Sequence, residues 1–121
     1  MPHILLVEDD RDNLALFTIV LEGAGYSVDA FSDPTAALSK FKSESYDLLV
    51  LDYRMPKLNG FELYKRLREK AQEIKALIIT ATHEQIINKD GEELENQKNV
   101  RIMRKPVSNE DLLEGVKSVL T

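Results

Sequence analysis

The chain has 121 residues, 43% of them hydrophobic, which suits one globular domain with a single core and is too short for two ordinary ones. A net charge of -5, from 16 basic and 21 acidic residues, argues for solubility and against a phosphate-tracking nucleic-acid binder. Cysteine is absent, which excludes disulfide scaffolds, thiol nucleophiles and cysteine-based zinc sites. The residues from Met1 to Val7 lack the apolar core and cleavage site of a signal peptide, and no apolar run approaches the roughly 20 residues of a membrane span. The expectation is one cytoplasmic domain over residues 1–121, with no direct nucleic-acid or membrane partner.

Ile4 to Val7 is a short apolar run that ends in Glu8-Asp9-Asp10. Leu14, Phe17, Val20, Leu21 and Ala24 then recur at the spacing of one buried helical face, closed by Gly23 and Gly25. Ser27 to Phe31 reads as a strand. Asp33-Pro34 supplies an N-cap and a first-turn proline, and Ala37, Leu38 and Phe41 form the inward face of a short helix. Leu48 to Leu51 is a continuously apolar run, the pattern of a strand buried on both faces of a parallel sheet, and it stops at Asp52. Asn59 and Glu62 have capping-box spacing ahead of Phe61, Tyr64, Leu67 and Ala71. Ala76 to Ile79 is a fourth apolar strand, ended by Thr80-Ala81-Thr82. The segment from His83 to Asn99 is weakly apolar and broken at Lys89-Asp90-Gly91, so a short or irregular helix is expected there. Val100 to Met103 is a last strand, followed by Arg104-Lys105-Pro106. Ser108 and Asp111 cap a terminal helix whose inward face holds Leu112, Leu113, Val116, Val119 and Leu120.

Strands alternating with amphipathic helices predict an α/β fold: a doubly wound, five-stranded parallel sheet with five helices. In such sheets ligands bind outside the carboxyl ends of the strands. Asp9, Asp10, Asp52, Thr80 and Lys105 all follow or end strands, so they converge on that edge. Gathered carboxylates repel one another, and a divalent cation that prefers oxygen ligands neutralises them; magnesium, which keeps several waters, suits an open acidic loop site. A lysine and a threonine hydroxyl suit phosphoryl oxygens, and a central aspartate can act as nucleophile. The cluster therefore reads as metal-assisted phosphoryl transfer onto Asp52.

At these residues the chain resembles the response-regulator receiver domain of two-component signalling. The resemblance rests on the acidic residues Glu8-Asp9-Asp10 after the first strand, Asp52-x-x-Met55-Pro56 with Gly60 after the third, Thr80-Ala81 after the fourth and Lys105-Pro106 after the fifth. Each piece alone is weak; the four in this order make a specific pattern. The resemblance implies the strand order 2-1-3-4-5, the flavodoxin-like arrangement. It also implies phosphorylation of Asp52, with magnesium held by Asp9, Asp10, Asp52 and the backbone carbonyl of Arg54. Thr80 and Lys105 would bind phosphoryl oxygens. The donor would be a histidine kinase or histidine phosphotransfer protein, and the reader a downstream protein or a fused output domain. Such a domain catalyses only its own phosphorylation and dephosphorylation; it is not an enzyme acting on a separate substrate.

The family often has an aromatic residue at the position of Ile102, so the expectation here is that activation is read through backbone shifts around Thr80 to His83 and the segment after them. Arg54 and Thr82 flank the acceptor at positions thought to tune phosphoryl lifetime in the family. Three alternatives bound the reading. A haloacid-dehalogenase-like phosphatase would show Asp-x-Asp, and the second position here is Arg54; a dinucleotide-binding domain would show Gly-x-Gly-x-x-Gly after the first strand. A phosphorylation-independent interaction module of the same fold ranks second. His3 and His83 stand apart from other ligands and are read as structural or surface residues.

Overall fold

The computed structural model describes residues 2–81 and 98–121. The elements run β1 (His3–Val7), α1 (Arg11–Gly23), β2 (Ser27–Phe31), α2 (Pro34–Lys40), β3 (Leu48–Asp52), α3 (Gly60–Lys70), β4 (Lys75–Thr80), β5 (Val100–Arg104) and α4 (Asn109–Leu120). The helix expected between His83 and Asn99 lies almost wholly outside the described residues. All strand pairs are parallel, and the sheet order is β2-β1-β3-β4-β5, as the resemblance implied.

Local sequence accounts for most element ends. Asp10 caps α1, its carboxylate accepting from the Asp12 and Asn13 amides at 2.9 and 3.1 Å. Gly25, at φ 97°, supplies the left-handed residue that turns the chain from α1 into β2. The capping box of α3 is complete: Glu62 N donates to Asn59 Oδ1 at 2.8 Å and Asn59 N to Glu62 Oε1 at 3.0 Å. Ser108 accepts from Asp111 N at 3.0 Å and starts α4. Phe41 departs from the sequence reading. It lies just past α2 in extended backbone, yet is buried, so its burial owes to the loop leading into β3 and not to a helical face.

β3 is buried along its whole length and divides two core layers. Leu49 and Leu51 point into the layer under α2 and α3 with Leu5, Val7, Tyr64 and Leu67. Leu48 and Val50 point into the layer under α1 and α4 with Ile4, Leu6, Phe17 and Leu112. At about 2 kcal/mol for each fully buried aliphatic side chain, these layers fix the register of the sheet and with it the position of Asp52. At the opposite end of the strands His3 ties three segments together: its ring nitrogens lie 2.8 Å from the Ser45 carbonyl and 3.1 Å from Asp29, and its ring stands 4.6 Å from that of Tyr46. Its role is local packing, as expected for an isolated histidine.

Candidate functional site

Parallel strands put the carboxyl ends of β1, β3, β4 and β5 on one edge of the sheet. The backbone ladder continues one residue beyond the strands there. Glu8 N donates to Phe31 O at 3.1 Å, Tyr53 N to Ile79 O at 2.8 Å and Lys105 N to Thr80 O at 2.7 Å. Glu8 and Lys105 are thus held by main-chain bonds although they lie just past strand ends.

Asp52, the last residue of β3, is 7% exposed and Glu8 is 1% exposed. Two carboxylates this deep need a cation, and Lys105 supplies it, with Nζ 3.0 Å from Glu8 Oε1 and 3.4 Å from Asp52 Oδ1. The second oxygen of Glu8 accepts from Asp10 N at 3.3 Å. Burial first, then the hydrogen bond and charge of Glu8, push the Asp52 carboxyl up to about 8, against the pull of Lys105. Burial drags the Lys105 ammonium down, but the hydrogen bond to Glu8 and the charges of Asp52 and Glu8 outweigh it and leave Lys105 raised.

Glu8, Asp9 and Asp52 offer carboxylate oxygens that all lie within 4.8 Å of one another. An all-oxygen donor set of this charge, with Asp9 exposed at its rim, fits a hard divalent cation that keeps part of its water shell. Asp10 is not in this group; its side chain is engaged at the N-terminus of α1. The sequence reading placed Asp9 and Asp10 at the metal and passed over Glu8. In a run of three acids the inward one is set by the strand register, and the legible signal was that Asp is a favoured cap directly before a helix.

Thr80 is fully buried at the end of β4, beside Arg104 in register and bonded to Lys105 through its carbonyl. Arg54 is exposed in the loop leaving Asp52. That loop is closed at its base, with Gly60 N donating to Tyr53 O at 2.8 Å. A Cβ on Gly60 would stand 2.6 Å from the Asp52 carbonyl oxygen, so only glycine lets α3 start this close to β3. Ile102, opposite Ile78 in register, packs half-buried against the layer under α2 and α3. Thr82 and His83 lie outside the described residues, as does the segment through which activation was expected to be read.

An open α/β sheet with an acidic, lysine-bearing group at its carboxyl edge defines a flavodoxin-like protein built around a strand-end aspartate. The profile of the response regulator receiver domain matches residues 4–117, and the chain belongs to that family. It is 31% identical over 120 residues to the response regulator receiver protein CpdR of Brucella abortus, covering 99% of this chain and 98% of that protein. It is 37% identical over 117 residues to the alkaline phosphatase synthesis transcriptional regulatory protein PhoP of Bacillus subtilis, covering 97% of this chain but 48% of that protein. The chain therefore spans nearly all of one curated relative and about half of the other. The crystal structure of response regulator protein TrrA from Thermotoga maritima, in complex with Mg(2+)-BeF, superimposes with a TM-score of 0.82 at 28% identity, over 98% of this chain and 99% of that one. As a receiver domain the chain serves two-component signalling. Among the described residues no helix is long and apolar enough to cross a membrane.

Proposed function

We propose that residues 1–121 form one receiver unit that accepts a phosphoryl group on Asp52 from a phosphohistidine of a histidine kinase or a phosphotransfer protein. The observation that carries this reading is the placement of a nearly buried Asp52 within reach of Lys105 and of the Glu8 and Asp9 carboxylates. An Asp52 oxygen attacks phosphorus, the bond from phosphorus to the donor nitrogen breaks, and the nitrogen leaves with its electron pair. The product is an acyl phosphate on Asp52. Glu8, Asp9, Asp52 and the Arg54 carbonyl would hold a magnesium ion, which when bound supplies positive charge against the transferring phosphoryl oxygens. Lys105 exchanges its carboxylate partners for one of those oxygens, and the Thr80 hydroxyl donates to another. Asp10 contributes indirectly, by capping α1 so that Glu8 and Asp9 stay at the strand end.

The unit turns over only its own phosphoryl group, with water as the later acceptor, and acts in the cytoplasm, where ATP-fed kinases work. Its output passes to a partner protein or a fused domain through the face around the segment after Thr80 and β5; the transcriptional role named for the half-covered relative PhoP is one form such an output takes. The reading is tested by incubating the chain with acetyl phosphate, with and without magnesium, and recording intact mass beside Asp52→Asn. A magnesium-dependent gain of one phosphoryl group that disappears in the variant is expected. No gain from acetyl phosphate or from a phosphorylated kinase would overturn it.

A further inference from the structure

β4 and β5 end side by side in an unlike pair: Thr80, fully buried, is the register partner of Arg104, which is exposed. Side chains alternate between the two faces of a strand, and the core layers show which face each end residue takes. Ile78 and Ile102 lie in the layer under α2 and α3, while Ile79 and Met103 lie in the layer under α1 and α4. Two residues further on, Thr80 and Arg104 therefore share the first of these faces, on strands about 5 Å apart. Lys105 takes the other alternation and meets Glu8 and Asp52.

The two arginines of β5 differ in what holds them. Arg101 lies on the face of α4, where its guanidinium is 3.2 Å from Glu114 and meets the Ser118 hydroxyl. Among the described residues no carboxylate lies within ion-pair distance of the Arg104 guanidinium. Of the β5 residues on its face, Val100, Ile102 and Arg104, the last alone has a polar side chain. It is also the one at the carboxyl edge, where the strand-end aspartate lies.

We propose that Arg104 is a phosphoryl-binding residue: its guanidinium folds across Thr80 and donates to the phosphoryl oxygen that the threonine hydroxyl meets. The inference rests on the phosphoacceptor reading above and adds a second cation to it. A phosphoryl group brings up to about two negative charges and three acceptor oxygens to the edge, and Lys105 is already shared between two buried carboxylates. An oxygen accepting from Thr80 stands about 3 Å from that hydroxyl, within the span of an arginine rooted one strand away. The planar, weakly hydrated guanidinium suits such an oxygen better than an ammonium does. Through this contact β5 registers the phosphoryl group although Ile102 has no polar atom to offer it. A charge-assisted bond at an exposed site strengthens binding about tenfold.

The test uses beryllofluoride, formed from BeCl2 and NaF, as a phosphoryl mimic on the Asp52 carboxylate. It is titrated into the full chain at saturating MgCl2 and followed by amide chemical shifts, beside a titration with MgCl2 alone and thermal melts. Arg104→Ala should weaken beryllofluoride about tenfold, with Mg2+ affinity within about twofold and Tm unchanged, because the side chain supports nothing in the fold. Arg104→Lys should lose less, about threefold. Arg101→Ala removes the same charge from the same strand, and it should leave beryllofluoride affinity within about twofold. Unchanged affinity in Arg104→Ala overturns the proposal, and so does an equal loss in Arg101→Ala, which is the behaviour of net charge acting at a distance. A wild-type chain that shows no Mg2+-dependent beryllofluoride binding overturns the phosphoacceptor reading and this inference with it, a result distinct from either.

Discussion

Lys105 stands closer to Glu8 than to Asp52, 3.0 Å against 3.4 Å, and Glu8 is the more deeply buried of the two. In the unphosphorylated protein the lysine therefore acts first as the counter-charge of a buried glutamate. Lys105→Ala leaves that carboxylate without a cation, and a loss of about 3 kcal/mol in unfolding free energy is expected. The variant also removes the interaction that lowers Asp52, so the Asp52 carboxyl moves further up. Urea unfolding at pH 5.5 and pH 8 checks this, and the deficit should be larger at pH 8.

Asp52 itself makes stability depend on pH in the direction opposite to an ordinary salt-bridged aspartate. Its carboxyl is pushed up to about 8 in the fold, from an unfolded value near 3.8, so between those values the folded state holds a proton that the unfolded state has lost. Stability from this group is fully present below about pH 4 and declines as pH rises toward 8. Asp52→Asn removes the decline. At pH 8 without metal the variant should be more stable than wild type by on the order of 2 kcal/mol, a rise of several degrees in Tm, and the advantage should vanish near pH 4.

Asp10 and Glu8 should separate cleanly by two measurements. Asp10→Ala removes the cap of α1 and should cost about 1 kcal/mol while leaving Mg2+ affinity within about twofold, with Asp10→Ser restoring the stability. Glu8→Gln should weaken Mg2+ at least about tenfold and leave α1 intact by amide shifts. A large affinity loss in Asp10→Ala would place its carboxylate at the ion after all.

Gly60→Ala should be the most disruptive single methyl in the loop. The added carbon meets backbone atoms of Asp52 and Tyr53 at 2.6 to 3.1 Å, none of which can rotate away. Either α3 or the end of β3 must move, and a loss of about 2–3 kcal/mol with slower phosphorylation is expected, readable by thermal melts and by the acetyl phosphate assay.

The strands were legible because each is a short apolar run bounded by polar or turn residues, their order came only with the family resemblance, and the caps Asp33, Asn59 and Ser108 marked their helices directly. Asp52, Thr80 and Lys105 were legible because each ends or follows such a run. Glu8 was not, since burial of a glutamate depends on a lysine 97 positions away that only the closed sheet brings near. The left-handed backbone of Lys57, at φ 73° in the loop after Asp52, was equally hidden, since nothing about the residue type at a Pro-Lys-Leu step announces a positive φ. Phe41 was placed on a helix because its spacing fits one, and the helix ends a residue earlier, with the ring inward all the same.

β3 is paired on both edges and covered on both faces, whereas β2 and β5 each pair with one strand among the described residues. In hydrogen-exchange terms the amides of Leu49 to Leu51 should open only with the whole molecule, while the outer strands open by smaller, more frequent excursions. Asp52 is thus mounted on the part of the chain that breathes least. A donor must come to it fully presented at the edge, and whatever message leaves it has to be carried by the looser periphery.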